Sequence, residues 1–323
     1  MIKTYLYNEK TQSMQQDIAL GDIPFYLAHP QNLLWIDLYD IKADELYLIA
    51  KTFGFHPLAI EDCLHDSPRA KVDDYDAYKF FVFHALRYNE ESDNEITTLE
   101  LNVFLGSNYV VTIHKKKQRW LGQMDAICSV SPKYMNRGAD FLLYTLIDGI
   151  TDEYFPILDR IGVRIDELED EMYDEGVKEV TEEFLALKRT IILIRRVILP
   201  QKRIFLTMNG RWKFAIQEHN IPFYVDLMDH MERIVDSTET YRDLVNSALD
   251  TYYSIISAKA NEKINVLTMI STIMLPLTFV TGFFGMNVPL PYQDSPVATV
   301  VIFLSLVLLT YGMWRYFKKN ELL

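Results

Sequence analysis

The sequence predicts a mixed α/β domain that passes into long helices and ends in two membrane-spanning helices. Three observations carry this fold class. Up to His114, β-branched and aromatic runs alternate with short helical patterns; from about Gly138 onward apolar residues recur every three or four positions; and the last fifth of the chain is almost free of charge.

The elements follow in order. Leu33 to Asp40 (LLWIDLYD), Tyr78 to Tyr88, Thr97 to Gly106 and Asn108 to His114 have strand composition, and Gly106-Ser107-Asn108 supplies a turn between the last two. Ala43 to Phe53 and Pro57 to Leu64 have helical patterns, the second with Pro at its first turn. An α/β sandwich follows for residues 1–137. Residues 138–220 complete it with long amphipathic helices, with Leu142, Leu146, Ile150, Ile157, Ile161 and Ile165 on one, Phe184, Leu187, Ile191, Ile194 and Ile198 on the next, and turns at Gly176 and Asn209-Gly210. From Ile221 to Met286 one helix can run without a break, first as a stalk over 221–265 with the heptad-like series Leu227, Met231, Ile234, Thr238, Tyr241, Leu244, Ala248, Thr251 and Ile255.

Composition excludes several functions. The chain has 323 residues with 45 acidic and 32 basic side chains, a formal net charge of -13, which does not suit nucleic-acid binding. Cys63 and Cys128 are too few for a disulfide scaffold and have no zinc spacing. P-loop, HExxH, G-x-S-x-G and GxGxxG motifs are absent, so no enzyme is expected. The charge is also uneven: residues 1–260 hold 28 basic and 42 acidic side chains, whereas Ile264 to Trp314 hold only Asp294.

Within that uncharged stretch lie Val266 to Met286 and Val297 to Phe317, 21 residues each, long enough at about 31 Å to cross a hydrocarbon core. Lys259 and Lys263 precede the first span, Arg315, Lys318 and Lys319 close the second, and the loop 287–296 has no basic residue. The positive-inside rule then puts both termini, including the basic tail 318–323, in the cytoplasm and the loop outside the cell membrane. MIKTYLYNEK lacks the apolar core of a signal peptide, so the N-terminal part is expected to stay on the side where it is made.

The first span is not a plain anchor. Positions 261, 264, 268, 271, 275, 278 and 282 advance by three and four and mix Asn, Ile, Thr, Ser, Leu, Thr and Gly on one face. Close helix packing explains Ser271 and Gly282; a wet path with apolar constrictions also explains Asn261. Pro276 removes a backbone hydrogen bond in mid-span, which predicts a kink. Two spans cannot enclose a path alone, so transport requires an oligomer. The run Asp166 to Glu175 has seven acids in ten residues and reads first as a solvated helix face. His84, His114 and His230 read as isolated histidines rather than ligands.

At the end of the first span comes Gly285-Met286-Asn287. With NEKINVLTMISTIMLPLTFVTGFFGMN (Asn261 to Asn287), YRDLVNSALDTYYS (Tyr241 to Ser254) and AIEDCLHDSPRAKVDDYDAYKFFVFHAL (Ala59 to Leu86), the chain resembles the CorA magnesium transporters over most of its length. The resemblance implies a homopentameric, funnel-shaped channel in the lipid bilayer that passes Mg²⁺, and also Co²⁺ or Ni²⁺, with Mg²⁺ as both substrate and regulatory ligand. It implies a selectivity ring at Gly285, Met286 and Asn287, and a pore face of Asn261, Ile264, Leu267, Ser271, Leu275, Thr278 and Gly282. Neutral carboxamides suit a hydrated ion that sheds water reluctantly. It further implies Mg²⁺ sensing between cytoplasmic domains at Asp226, with Asp229 and Asp250 as further candidates and Glu90, Glu91 or Asp93 as the neighbouring subunit's acid. The external loop departs from the family in offering only Asp294. A zinc transporter of ZntB type shares the architecture and is the alternative; intact Met286 counts against it.

Overall fold

A sheet with apolar side chains on both faces needs cover on both, and this chain supplies it. The computed structural model describes residues 1–88, 96–172, 177–206, 214–286 and 295–319. It divides into two units, Met1–Ser247 and Ala248–Leu323. The first holds seven strands, β1 (Ile2–Asn8), β2 (Ser13–Gln16), β3 (Asn32–Tyr39), β4 (Lys71–Tyr75), β5 (Tyr78–Tyr88), β6 (Ile96–Leu105) and β7 (Tyr109–His114), in the order β2-β1-β3-β7-β6-β5-β4. Only β3 and β7 are parallel, in register from Leu34 opposite Tyr109 to Tyr39 opposite His114; their neighbours pair antiparallel.

Three of these strands escape the sequence pattern. β2 (SMQQ) and β4 (KVDDY) are the two edges, where pairing is by backbone and polar or charged side chains discourage further sheet growth. β1 is buried over Thr4 to Tyr7 but mixes polar and aromatic residues too evenly to stand out.

One face of the sheet packs Leu34, Ile36, Leu38, Phe80, Val82, Phe104 and Val111 against α2 (Ala43–Phe53) and α3 (Pro57–Leu64), with the short α1 (Ile23–Leu27) beside them. Gly54 ends α2 in the left-handed region at φ 69° and donates its N–H to the Ala50 carbonyl, a conformation that penalises a Cβ. The other face lies under α5 (Ala139–Asp152), α6 (Tyr154–Glu171) and α7 (Val177–Phe205), with α4 (Arg119–Cys128) packed on α5. A buried knot fixes this layer. β4 pairs with β5 no further than Val82, so the His84 N–H is taken by Gln201 Oε1 at 3.1 Å, Gln201 Nε2 donates to Tyr154 Oη at 2.9 Å, and Tyr154 donates to the His84 carbonyl at 2.7 Å. Three elements thereby satisfy one another's polar groups in the core.

α8 (Ile221–Phe284) is a single helix of 64 residues, about 96 Å long. Its start is pinned to α5: Asp140 accepts from the Gln217 N–H at 2.8 Å and Asn220 Nδ2 at 3.0 Å, and Tyr224 donates to the Asp140 carbonyl at 2.7 Å. Tyr224 is buried, and Leu227, Met231, Ile234, Thr238 and Ala248 are buried as the heptad-like series predicts, but Leu244 and Thr251 are exposed and Val245, Leu249 and Tyr252 are buried in their place, so the covered face drifts from the series beyond Thr238. α7 runs antiparallel to it along three polar contacts, Lys188 to Asn246 at 2.8 Å, Arg195 to Glu239 at 2.6 Å, and Lys202 to Glu232. The helix carries Pro276 inside its assigned length without interruption. The expected turns at Gly176 and Asn209-Gly210 lie outside the described residues.

In the second unit α9 (Pro296–Lys319) is a further apolar helix. Both α8 and α9 are long and apolar enough to cross a membrane, and the apolar window of each is unburied within the chain. Large exposed side chains such as Phe279 (71%) and Leu308 (75%) are unfavourable in water and favourable in lipid.

Candidate functional site

Two places in the chain carry residues of the kind that handle a cation. The first lies in the Met1–Ser247 unit. α5 places Asp148 and Asp152 four residues apart, on one face, and α8 brings His230 to them: His230 Nδ1 lies 3.6 Å from Asp148 Oδ1 and 4.0 Å from Asp152 Oδ1. One ligand atom from each of the three falls within 4.8 Å of the others. Asp226, one turn before His230 on α8, reaches its Nε2 at 3.8 Å.

The electrostatics are those of a site short of positive charge. Burial raises the Asp148 carboxyl above its ordinary value, helped by the Asp152 charge and opposed by a hydrogen bond from Tyr144 and by His230. Asp152 is raised too, by burial and by Asp226, against the pull of His230. Asp148 Oδ1 and His230 Nδ1 are buried and accept or donate no hydrogen bond. Carboxylate oxygens suit Mg²⁺ held directly or through water, and the imidazole nitrogen adds affinity for Co²⁺ or Ni²⁺.

Sequence reasoning gave Asp226 to a site between subunits, missed Asp148 and Asp152, and read His230 as isolated. That reading is corrected by the fold, which closes a gap of some eighty residues between α5 and α8. The i,i+4 acids of LIDGITD were the available signal. His84 and His114 are not isolated either. His84 Nε2 meets the Ser67 carbonyl at 2.9 Å, and His114 Nε2 lies 3.2 Å from Asp37 Oδ1. Asp229 and Asp250 are exposed on α8 and stand outside the cluster. Glu90, Glu91 and Asp93 lie outside the described residues. In the acidic run, Glu167 and Glu171 both bind Arg164 within α6, at 2.9 and 3.0 Å, and Arg164 in turn pairs with Glu183 of α7, so these two acids hold the arginine that ties α6 to α7.

The second place is the apolar half of α8. Asn261, Ile264, Leu267, Ser271, Leu275, Thr278 and Gly282 are all exposed. Exposure alone does not single them out, since Phe279 is also 71% exposed. The covered positions do: Met269 is buried and Ile273, Pro276, Leu277 and Val280 are half-covered. At about 100° per residue these fall opposite the Ser271, Leu275, Thr278, Gly282 line. On α9 the half-covered positions Ala298, Ile302, Leu306, Thr310, Met313 and Phe317 likewise make one face. The chain covers the back of its first span and leaves the polar stripe bare.

The hydroxyls along α8 are turned inward. Ser271 Oγ donates to the Leu267 carbonyl at 2.8 Å, Thr272 to Thr268 at 2.7 Å, and Thr278 to Met274 at 2.8 Å, so each presents outward only the lone pairs of its oxygen. The helix stops at Phe284. Gly285 still donates its N–H to the Thr281 carbonyl at 2.9 Å, and a Cβ on Gly285 would stand 3.0 Å from that oxygen, a tight approach at the point where the chain leaves the helix. Met286 is half exposed; Asn287 lies outside the described residues.

Residues 30–319 match the family described as CorA-like Mg2+ transporter protein. The "Cobalt/magnesium transport protein CorA" of Thermotoga maritima is 33% identical over 295 residues, covering 89% of this chain and 82% of that protein. The "Putative metal ion transporter YfjQ" of Bacillus subtilis is 32% identical over 253 residues, 78% of each. Among solved structures, the CorA magnesium transporter from Methanocaldococcus jannaschii shares the fold with a TM-score of 0.84 at 24% identity, over 98% of both chains. The chain therefore belongs to the CorA family of Mg²⁺ and divalent-metal transporters, membrane proteins that move ions and are not enzymes.

Proposed function

We propose that the chain is a homopentameric Mg²⁺ influx channel of the cell membrane, with both termini cytoplasmic, that also passes Co²⁺ or Ni²⁺. The observation that carries this reading is the bare polar stripe of α8. From Met269 to Val280 its back is covered by its own chain while Ser271 and Thr278 are uncovered, an arrangement that is costly against lipid and favourable around a shared aqueous path.

The chemistry of that path suits a hydrated cation. Hydroxyls whose protons are already bound to carbonyls act toward the path as acceptors, and the waters around Mg²⁺ are donors. Mg²⁺ keeps its waters and is handed along by weak contacts. Ile264, Leu267 and Leu275 interrupt the acceptors with apolar rings that close the path by dewetting. At the outer end the Gly285-Met286-Asn287 segment supplies carboxamides to the incoming hydrated ion, and Asn287 is the residue that selects it.

Regulation is assigned to the carboxylates at the other end of the same helix. Asp226, with Asp148, Asp152 and His230, binds internal Mg²⁺ and, by holding like charges together, favours the closed assembly. The partner acid from a neighbouring subunit falls in 89–95.

Mg²⁺ entry into dye-loaded proteoliposomes tests the conduction claim. Wild type should admit Mg²⁺ and Asn287→Ala should not; undiminished entry in the variant removes the selectivity role. Zn²⁺ entry without Mg²⁺ entry in the same vesicles would instead assign a zinc transporter of the same architecture.

A further inference from the structure

The Met1–Ser247 unit holds a cleft that neither conduction nor cation sensing uses. It has a volume of about 410 Å³ and opens between the α3–β4 turn (Asp66 to Ala70), β6, the end of β7 and α7, a size that holds a small-molecule ligand. It adjoins a second cleft of about 690 Å³ that runs along α7, and Arg69, Ala70 and Arg196 line both. In a chain of net charge -13, the walls of the first are basic: Arg69, Lys115, Lys116 and Arg196 against Asp66 and Glu100.

Neither acid cancels this. Asp66 is already paired with Lys115 at 2.7 Å. Glu100 lines the cleft with 12% of its side chain accessible, and there it accepts from the Ser67 N–H at 2.6 Å and from Asn102 Nδ2 at 2.7 Å. Arg69, Lys116 and Arg196 are exposed and make no ion pair among the described residues. The floor is rigid and polar: His84 holds the Ser67 carbonyl at 2.9 Å, and Asn102, 3% exposed, leaves its Oδ1 without a partner. The cleft also sits at the carboxyl end of β7, one of the sheet's two parallel strands, the end at which open α/β sheets take their ligands.

Guanidinium groups held around a cleft recognise planar or tetrahedral oxyanions, and phosphate above all. We infer that this cleft binds a small phosphate-bearing anion, with Arg69, Arg196 and Lys116 on the phosphate oxygens. Free cations concentrated in a concave wall focus the field on such a ligand even when the whole chain is acidic.

The test uses the full-length protein in detergent with EDTA present, so that no Mg²⁺ is shared between protein and ligand. ATP, tripolyphosphate and adenosine are titrated by calorimetry. ATP and tripolyphosphate should bind saturably and adenosine should not. An ATP affinity above that of tripolyphosphate assigns nucleotides as the source, and equal affinities assign inorganic polyphosphate. The double variant Arg69→Gln with Arg196→Gln should weaken binding at least about tenfold, while Lys10→Gln, an exposed lysine outside both clefts, should leave it unchanged. Both replaced residues are exposed, so the variant keeps its fold, which its elution volume and thermal melting check. Absence of saturable binding by both phosphates, or full affinity in the folded double variant, overturns the inference. No ion flux enters the measurement, so its failure leaves the transport reading untouched.

Discussion

Replacing Asp148 by Asn should make the metal-free protein more stable and blunt its response to Mg²⁺. In the cluster formed with Asp152 and His230, one ligand atom from each residue lies within 4.8 Å of the others. Two negative charges at that distance repel by about 1 kcal/mol at the dielectric of water and by about 3.5 kcal/mol at an effective constant of 20. Asp152 is well exposed, with 60% of its side chain accessible, so the lower figure applies. Asn keeps an acceptor for Tyr144 and removes the charge. In EDTA the variant should therefore gain about 1 kcal/mol, some 2–4 °C in melting temperature for a domain of this size. A divalent cation reverses the sign. Held through its water shell about 4 Å from the carboxylate, it is attracted by about 2 kcal/mol in high dielectric, so the variant should need about 30-fold more Mg²⁺ for half of the stabilisation. Thermal melting of the purified protein at pH 8 across a MgCl₂ titration measures both quantities. A variant that melts lower in EDTA and responds to the same Mg²⁺ concentration as wild type would refute the site.

The other expectations concern the path, the core and pH. Leu275→Ser should raise basal Mg²⁺ flux in proteoliposomes by wetting an apolar ring; unchanged flux would remove Leu275 from the constriction. Gln201→Leu strands the His84 N–H and the Tyr154 hydroxyl in the core and should cost about 1–3 kcal/mol by denaturant unfolding. His114 carries a pH dependence. Burial pushes its imidazole down, but the Asp37 carboxylate and the Lys116 carbonyl outweigh that, and the net shift is upward from 6.5. Its contribution is therefore complete below 6.5 and is lost as pH rises through the raised value, so His114→Gln should flatten the fall in stability between about pH 6 and pH 8.5.

The parts of this fold legible in the sequence are those whose signal is one-dimensional. A stretch from Ile264 to Trp314 with one charge needs no partner to be recognised as membrane-spanning, and the heptad series of α8 announces its buried face from Leu227 to Thr238. β2 and β4 were illegible because edge strands are held by backbone pairing, and their Gln, Lys and Asp side chains carry turn-like composition. The candidate cation cluster of Asp148, Asp152 and His230 was not legible. Asp226 came from family resemblance, but Asp148 and Asp152 sit in an otherwise apolar helix, and nothing local says that His230 will close over them. The polar stripe was visible as a spacing; that it lies opposite the covered face of α8 depended on the packing of the spans.

The three polar contacts between α7 and α8 recur every seven residues on both helices: 188 with 246, 195 with 239, 202 with 232. Sliding α8 by four residues in one direction would set Lys188 against Arg242 and Arg195 against Val235. In the other direction acids do come opposite the bases, but Arg242 is carried into the buried place of Thr238 at the cost of an unpaired charge. A shift of seven residues, about 10.5 Å, restores polar partners for only two of the three bases and carries Arg242 into the buried place of Val235 or Leu249. Within the Met1–Ser247 unit α8 is therefore no piston. Under the proposed sensing at Asp226, a signal from that end would travel as a tilt or a turn of the helix.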